Sequence, residues 1–257
     1  AIINVPADHA TIQAAIDAAV DGDTILLADG VYRGAGNLDI WVEEKSLVVK
    51  SVNGYVSTII DGMGLGGTWF SCRDGCNLSF EGLTIENGFS NAIYVNSSDD
   101  EHPAKVEVKN CLIKNNSSGI DASGRYATVN ISECILQNNS SVGISLNSSV
   151  SNFRSFTIKN CQIIENQIGI TTQGDGEFNI IGCVIARNTK GGIATDGGIE
   201  ERIKNRIIHC TIVSNKSERG GGINLYGRHE TLIQNSILWD NVAIAGNQIS
   251  HYKYFFV

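Results

Sequence analysis

The sequence predicts an all-β solenoid, in which parallel strands stack coil upon coil around one apolar core. Three observations predict it. A short phrase of alternating apolar residues leading to a small residue and another apolar pair recurs seven times between Leu78 and Asp240, as in Val106-Glu-Val-Lys-Asn-Cys-Leu-Ile-Lys-Asn115 and Phe156-Thr-Ile-Lys-Asn-Cys-Gln-Ile-Ile-Glu165. Its central position falls at Leu83, Cys111, Cys134, Cys161, Cys183, Cys210 and Ser236, with separations of 28, 23, 27, 22, 27 and 26 residues, which is the period of stacked supersecondary units. Beyond residue 20 the apolar runs have strand length, and none has the length and period of a helix.

The totals agree with an ordered repeat chain. Of 257 residues, 42% are hydrophobic and 18% charged, with 28 glycines and 2 prolines, a composition of turns and packed strands rather than of disorder. Without a linker the chain reads as one domain: an N-terminal strand and capping helix over 1–23, coils over 24–241, and a last coil with an aromatic tail over 242–257. The net charge of −8 leaves no electrostatic footprint for nucleic acid. No run of 18 apolar residues is present to cross a bilayer as a helix.

Taken in order, residues 1–8 read as a short strand kept extended by Pro6. Thr11–Val20 reads as a helix, with Ile12, Ile16, Ala19 and Val20 on one face, Asp8 or Thr11 at its start and Gly22 at its end. A solenoid exposes an apolar cross-section at each end, so this helix is expected to lid the first coil. Thr24–Ala28, Val31–Tyr32, Ile40–Val42, Leu47–Lys50 and Thr58–Asp61 follow as strands separated by turns. From Leu78 each coil shows two strand-like alternations. In the first, Val106, Val108, Cys111 and Ile113 are expected to point inward. A corner follows with one asparagine per coil, Asn116, Asn139, Asn166, Asn188, Asn215 and Asn241; asparagine tolerates the left-handed backbone of a corner, and its amide can bond to neighbouring coils. The second alternation begins Gly-Ile, as at Gly119-Ile120 and Gly169-Ile170.

Five cysteines share the repeat position, which suits an inward ladder of reduced thiols; they lack the short spacings of a zinc site. Cys72 and Cys76 lie outside the ladder around the Asp74-Gly75 turn, either as a local disulfide or as two thiols. After Asn241 the pattern loosens, and the apolar tail His251–Val257 is expected to fold across the last coil, to associate with another copy, or to mark a cut in a longer chain.

These motifs resemble the right-handed parallel β-helix superfamily typified by pectate lyases. Asn4–Tyr32 is similar to the N-terminal cap and first strand of that superfamily, and Asn160-Cys-Gln-Ile-Ile-Glu-Asn166 to its coil consensus. The resemblance implies a right-handed β-helix of roughly 8 to 9 coils. It also implies polysaccharide as the partner and a secreted or cell-surface location. The superfamily holds lyases, hydrolases, esterases, epimerases and non-catalytic members, so the fold alone does not choose among them. In its lyases the substrate lies along an outward sheet face, clustered carboxylates hold Ca²⁺, and an Arg or Lys removes a proton beside the uronate carboxyl group.

On that basis the outward positions of the Gly-Ile strand supply the candidate substrate contacts Tyr94, Asp121, Gln173, Asp196 and Tyr226. The charged loops supply candidate Ca²⁺ ligands Asp175, Glu177, Asp196, Glu200 and Glu201, beside the candidate bases Arg202, Lys204 and Arg228. Trp41 and the outward tyrosines are candidates for stacking on sugar rings. Ca²⁺ is the one cofactor these residues suggest; copper would want Met or His ligands, and the chain has one methionine. The expected function is binding or processing of an acidic polysaccharide, as a Ca²⁺-assisted lyase if an enzyme, with a non-catalytic scaffold or adhesion module as the competing class.

Overall fold

The computed structural model describes residues 1–65, 70–98, 101–123, 126–148, 154–174, 176–197, 203–227 and 229–252. Among these residues three sheets of ten, nine and nine strands run through the coils. Equivalent strands of successive coils pair in parallel with their apolar positions in register, as Val106 with Val129, Ile113 with Leu136 and Ile120 with Ile144. The result is a parallel β-helix.

Each coil contains three strands where the sequence showed two alternations. The repeated phrase divides between the first sheet (Lys105–Lys109) and the second (Leu112–Lys114), while the Gly-Ile segment (Ser118–Ala122) belongs to the third. The division has a backbone cause. Asn110 and its equivalents Gly82, Glu133, Asn160, Gly182, His209 and Asn235 all have positive φ, a left-handed residue that turns the chain and lengthens one inward step from two residues to three, Val108 to Cys111. Val106, Val108, Cys111 and Ile113 are all buried, as expected.

A second left-handed column closes the second sheet: Asn87, Asn115, Asn138, Glu165, Arg187, Ser214 and Asp240. The left-handed residue thus immediately precedes the ladder asparagine and is not the ladder asparagine itself, contrary to expectation. The ladder residues instead turn their amides inward. The backbone N–H groups of Asn116, Asn139, Asn166, Asn188 and Asn215 each donate to the Oδ1 of the asparagine one coil on, at 2.9 to 3.1 Å. Each Nδ2 donates to a carbonyl one coil back, for example Asn166 to Leu136 at 3.0 Å and Asn215 to Ile185 at 2.9 Å. All six asparagines are buried.

The repeated glycine follows from this ladder. A Cβ at Gly169 would stand 2.4 Å from the Gly192 carbonyl oxygen and 3.0 Å from Asn188 Nδ2, so any side chain there would force the corner apart.

The helix spans Ile12–Ala18 and is capped by Thr11, whose Oγ1 accepts from Ala14 N at 3.3 Å. It buries Ile12, Ala15 and Ile16 against the first strands, as a lid should. It ends before the sequence suggested: Ala19 is already extended, which carries Val20 off the buried face to 67% exposure. Cys72 and Cys76 form a disulfide, and the five ladder cysteines are free and buried. Their thiols donate to carbonyls, as from Cys111 to Lys109 and Cys134 to Ser132 at 3.2 and 3.1 Å. The hydrogen bond with Cys161, together with burial, pushes the Cys183 thiol up to about 12.

Asn166→Ala would strand the Asn139 N–H and the Leu136 carbonyl in the interior, for a loss on the order of 3 kcal/mol in urea denaturation. The exposed Glu107→Ala should shift stability by about 0.5 kcal/mol or less. Thiol labelling of the native, non-reduced protein should modify none of the five ladder cysteines within the time in which denatured protein reacts completely, because all five are sealed in the core, out of reach of the reagent.

Candidate functional site

Strand alternation decides which side chains are available. In the third sheet every second residue enters the core, and the residues between them form columns on the outer face. One column is fixed by the register Trp41, Ser71, Tyr94, Asp121, Ser145, Thr171, Ala194, Asn224. The next runs Asn147, Gln173, Asp196, Tyr226. Together they frame an open groove of about 460 Å³, lined among others by Asn147, Thr171, Gln173, Asp196, Asn224 and Tyr226.

Tyr94 and Asp121 are therefore neighbours in one column, and Gln173, Asp196 and Tyr226 are successive residues of the other. Glu177 and Lys204 are placed elsewhere. They are in register with each other in the first sheet, where Lys204 pairs with Glu230 at 3.8 Å. Arg202, Arg228, Asp175, Glu200 and Glu201 lie outside the described residues. Among the described residues no three His, Cys, Asp or Glu side chains are grouped to hold a metal ion.

Polar groups on the face are only partly satisfied by the protein. Asn147 Nδ2 donates to Gln173 Oε1 at 3.3 Å, while Asn147 Oδ1 is buried without a partner. Asp121 accepts from Asn91 Nδ2 at 3.4 Å through Oδ2, and its Oδ1 is likewise buried without a partner. Burial raises the Asp121 carboxyl above its ordinary range, against the smaller lowering effects of Ser123 and Asn91.

Sequence reasoning missed Arg73. Its guanidinium lies 4.5 Å from the centroid of the Trp41 ring, and its Nε donates to Ser71 Oγ at 3.4 Å. Among the described residues it joins no ion pair. Trp41 is 52% exposed, so an aromatic ring and an uncompensated cation stand together at one end of the face. The signal was indirect, because Arg73 follows Cys72 in a strand without the Gly-Ile phrase and only the register reveals its neighbours.

The family described as "Periplasmic copper-binding protein (NosD)" matches residues 16–209. Solved structures that resemble the fold include the following two. The A-module of the mannuronan C-5 epimerase AlgE6 of Azotobacter vinelandii is 15% identical with a TM-score of 0.59, the match covering 90% of this chain and 71% of that one. The pectate lyase Pel9A is 16% identical with a TM-score of 0.51, covering 88% and 72%. No curated protein sequence matches the chain.

Because the native state favours the protonated Asp121, its ionisation removes stability as pH rises from the ordinary carboxylate range through the raised native value. Asp121→Asn should therefore melt higher than the parent at pH 7, and the gap should close as pH falls below about 4. Thermal melts across that range check the sign.

Proposed function

The chain belongs to the NosD family, and from that premise and the outer face of the third sheet we propose that it is an exported protein that binds an acidic polysaccharide along that face. The observation that carries this reading is the unbroken pair of outward columns and the groove they frame. Coils repeat every ~4.8 Å, comparable to the advance of one sugar unit along an extended glycan, so a column offers like positions to successive units of a polymer. Tyr94, Tyr226 and Trp41 provide rings for sugar faces. Arg73 supplies the cation for a carboxylate in a chain that is otherwise strongly acidic. Epimerase and lyase among the structural neighbours act on polysaccharides, which supports the ligand class.

The face supports binding better than elimination. In a lyase, Ca²⁺ on Asp175, Glu177, Asp196, Glu200 and Glu201 would acidify the substrate for Arg202, Lys204 or Arg228. Of the proposed bases, the described one is Lys204, which is ion-paired to Glu230 in the first sheet.

Copper does not fit the described residues. A copper site wants exposed soft or imidazole ligands converging from several directions. Here the five ladder thiols face inward and bond to carbonyls, and the single methionine, Met63, has no grouped His or Cys beside it among the described residues.

Affinity electrophoresis against polyuronates, their carboxyl-reduced forms and neutral polymers tests the proposal. A polyuronate should retard the protein more than its reduced form. Trp41→Ala and Tyr226→Ala should each weaken binding about tenfold, near 1.4 kcal/mol. Absence of retardation by every polymer would overturn the reading, and ultraviolet absorbance of an unsaturated product, with and without Ca²⁺, would convert it to a lyase.

A further inference from the structure

A second concave site lies away from the third-sheet face, on the corner that ends the second sheet. It encloses about 550 Å³ and includes Met63, Gly64, Asn87, Phe89, Asn115 and Asn138 in its lining. We propose that this pocket binds a neutral sugar residue, with the Phe89 ring as its stacking platform and the amides of Asn115 and Asn138 as the edge that recognises hydroxyls.

Phe89 is 72% exposed. An isolated exposed ring on a convex surface needs no explanation, but this one borders a hollow and faces Gly64, where even an added Cβ would stand 3.7 Å from the ring. The three asparagines are equivalent residues of successive coils, all left-handed, so their side chains rise from the corner at strand-stacking intervals of about 4.8 Å. Asn115 Nδ2 donates to Asn87 Oδ1 at 3.4 Å. Among the described residues the Asn138 amide has no hydrogen-bond partner. Amides present a donor and an acceptor side by side, the complement of neighbouring hydroxyls on a sugar.

The rim is held in place by a buried carboxylate. Asp61 Oδ2 accepts from Arg33 Nε and Nη2 at 2.9 and 2.6 Å, and Oδ1 accepts from Asn87 Nδ2 at 2.9 Å and Met63 N at 3.0 Å. Burial pushes this carboxyl up, and the bonds from Asn87, Met63 and Arg33 more than reverse that, leaving it below the ordinary value. Those bonds fix Met63 at φ 54, an uncommon conformation for a side chain of its size, within a bulge between Asp61 and Leu65 that opens the hollow. With Asp61 matched by Arg33 and no Lys or Arg in the lining, the pocket presents amides and an aromatic ring without uncompensated charge. That selects an uncharged ligand, in contrast to the Arg73 end of the other face.

Saturation-transfer NMR with a panel of neutral oligosaccharides, glucans, mannans and galactans, tests this on the full chain. At least one should receive saturation from aromatic protons. Phe89→Ala should weaken it tenfold or more, Phe89→Trp should retain it, and Tyr226→Ala should leave it unchanged, with an unaltered melting temperature confirming that these surface changes leave the fold intact. The proposal is overturned if no member of the panel binds, if Phe89→Ala binds as the parent does, or if binding is lost with Tyr226→Ala and kept with Phe89→Ala, which would assign it to the third-sheet face.

Discussion

The fold rests on the hydrogen bonds of the asparagine ladder. Each coil must bend sharply while its bend is covered above and below by other coils, which would leave backbone N–H and C=O groups buried without partners. One asparagine per coil resolves both at once, its Oδ1 accepting from the N–H one coil back and its Nδ2 donating to a carbonyl there. Every bond crosses between coils, so a coil is satisfied only when its neighbour is present. Stability in such a stack is a property of adjacent pairs. At the far end Asn241 Nδ2 donates to Ile212 O one coil back at 2.8 Å and to Gln248 Oε1 at 2.6 Å, so Gln248 stands where the next asparagine of the ladder would.

This constraint propagates to the surface. The ladder fixes the glycine after the corner, through the close approach of the next coil's carbonyl, and the glycine fixes the phase of the third-sheet strand. Phase then determines which side chains leave the core: Ile120 and Ala122 enter it while Asp121 stands outside. The interior positions, the cysteine column included, are consumed by packing and carbonyl contacts. Chemistry is left to the outward columns, the left-handed corners and the loops, which is why members of such a fold differ in what they bind while their cores look alike.

The repeat was plain in the sequence because apolar alternation and the cysteine period are both local and recurrent, and the outward columns of the Gly-Ile strand followed from alternation alone. The third strand per coil was hidden because the bend costs the inward pattern a single extra residue: Val108 and Cys111 both point inward, three residues apart, with the left-handed Asn110 between them. Left-handed positions were obscured where Glu133, Glu165 and Arg187 occupy them, residue types that carry no such preference. Contacts between coils were the least legible. Arg73 beside Trp41, and Asp61 beneath Asn87, join residues whose sequence separation reflects coil length and loop insertions, so no fixed spacing announces them.

Charge arrangement gives the sharpest argument about how the surface is used. A chain of net charge −8 gains little from attracting a polyanion at long range, so recognition of an acidic glycan must be short-range, made where a cation is already freed from its own carboxylates. Several described Arg and Lys side chains are spent on ion pairs within the protein, Arg33 on Asp61, Lys114 on Glu86 and Arg187 on Glu165 among them. Arg73 is instead laid on an indole ring, which orients the guanidinium without neutralising it. Added salt screens the repulsion between protein and polymer as well as the attraction at Arg73. An acidic glycan held this way therefore loses less affinity on salt addition than one held by a basic patch, because its binding rests on stacking and one directed contact rather than on the field of the whole molecule.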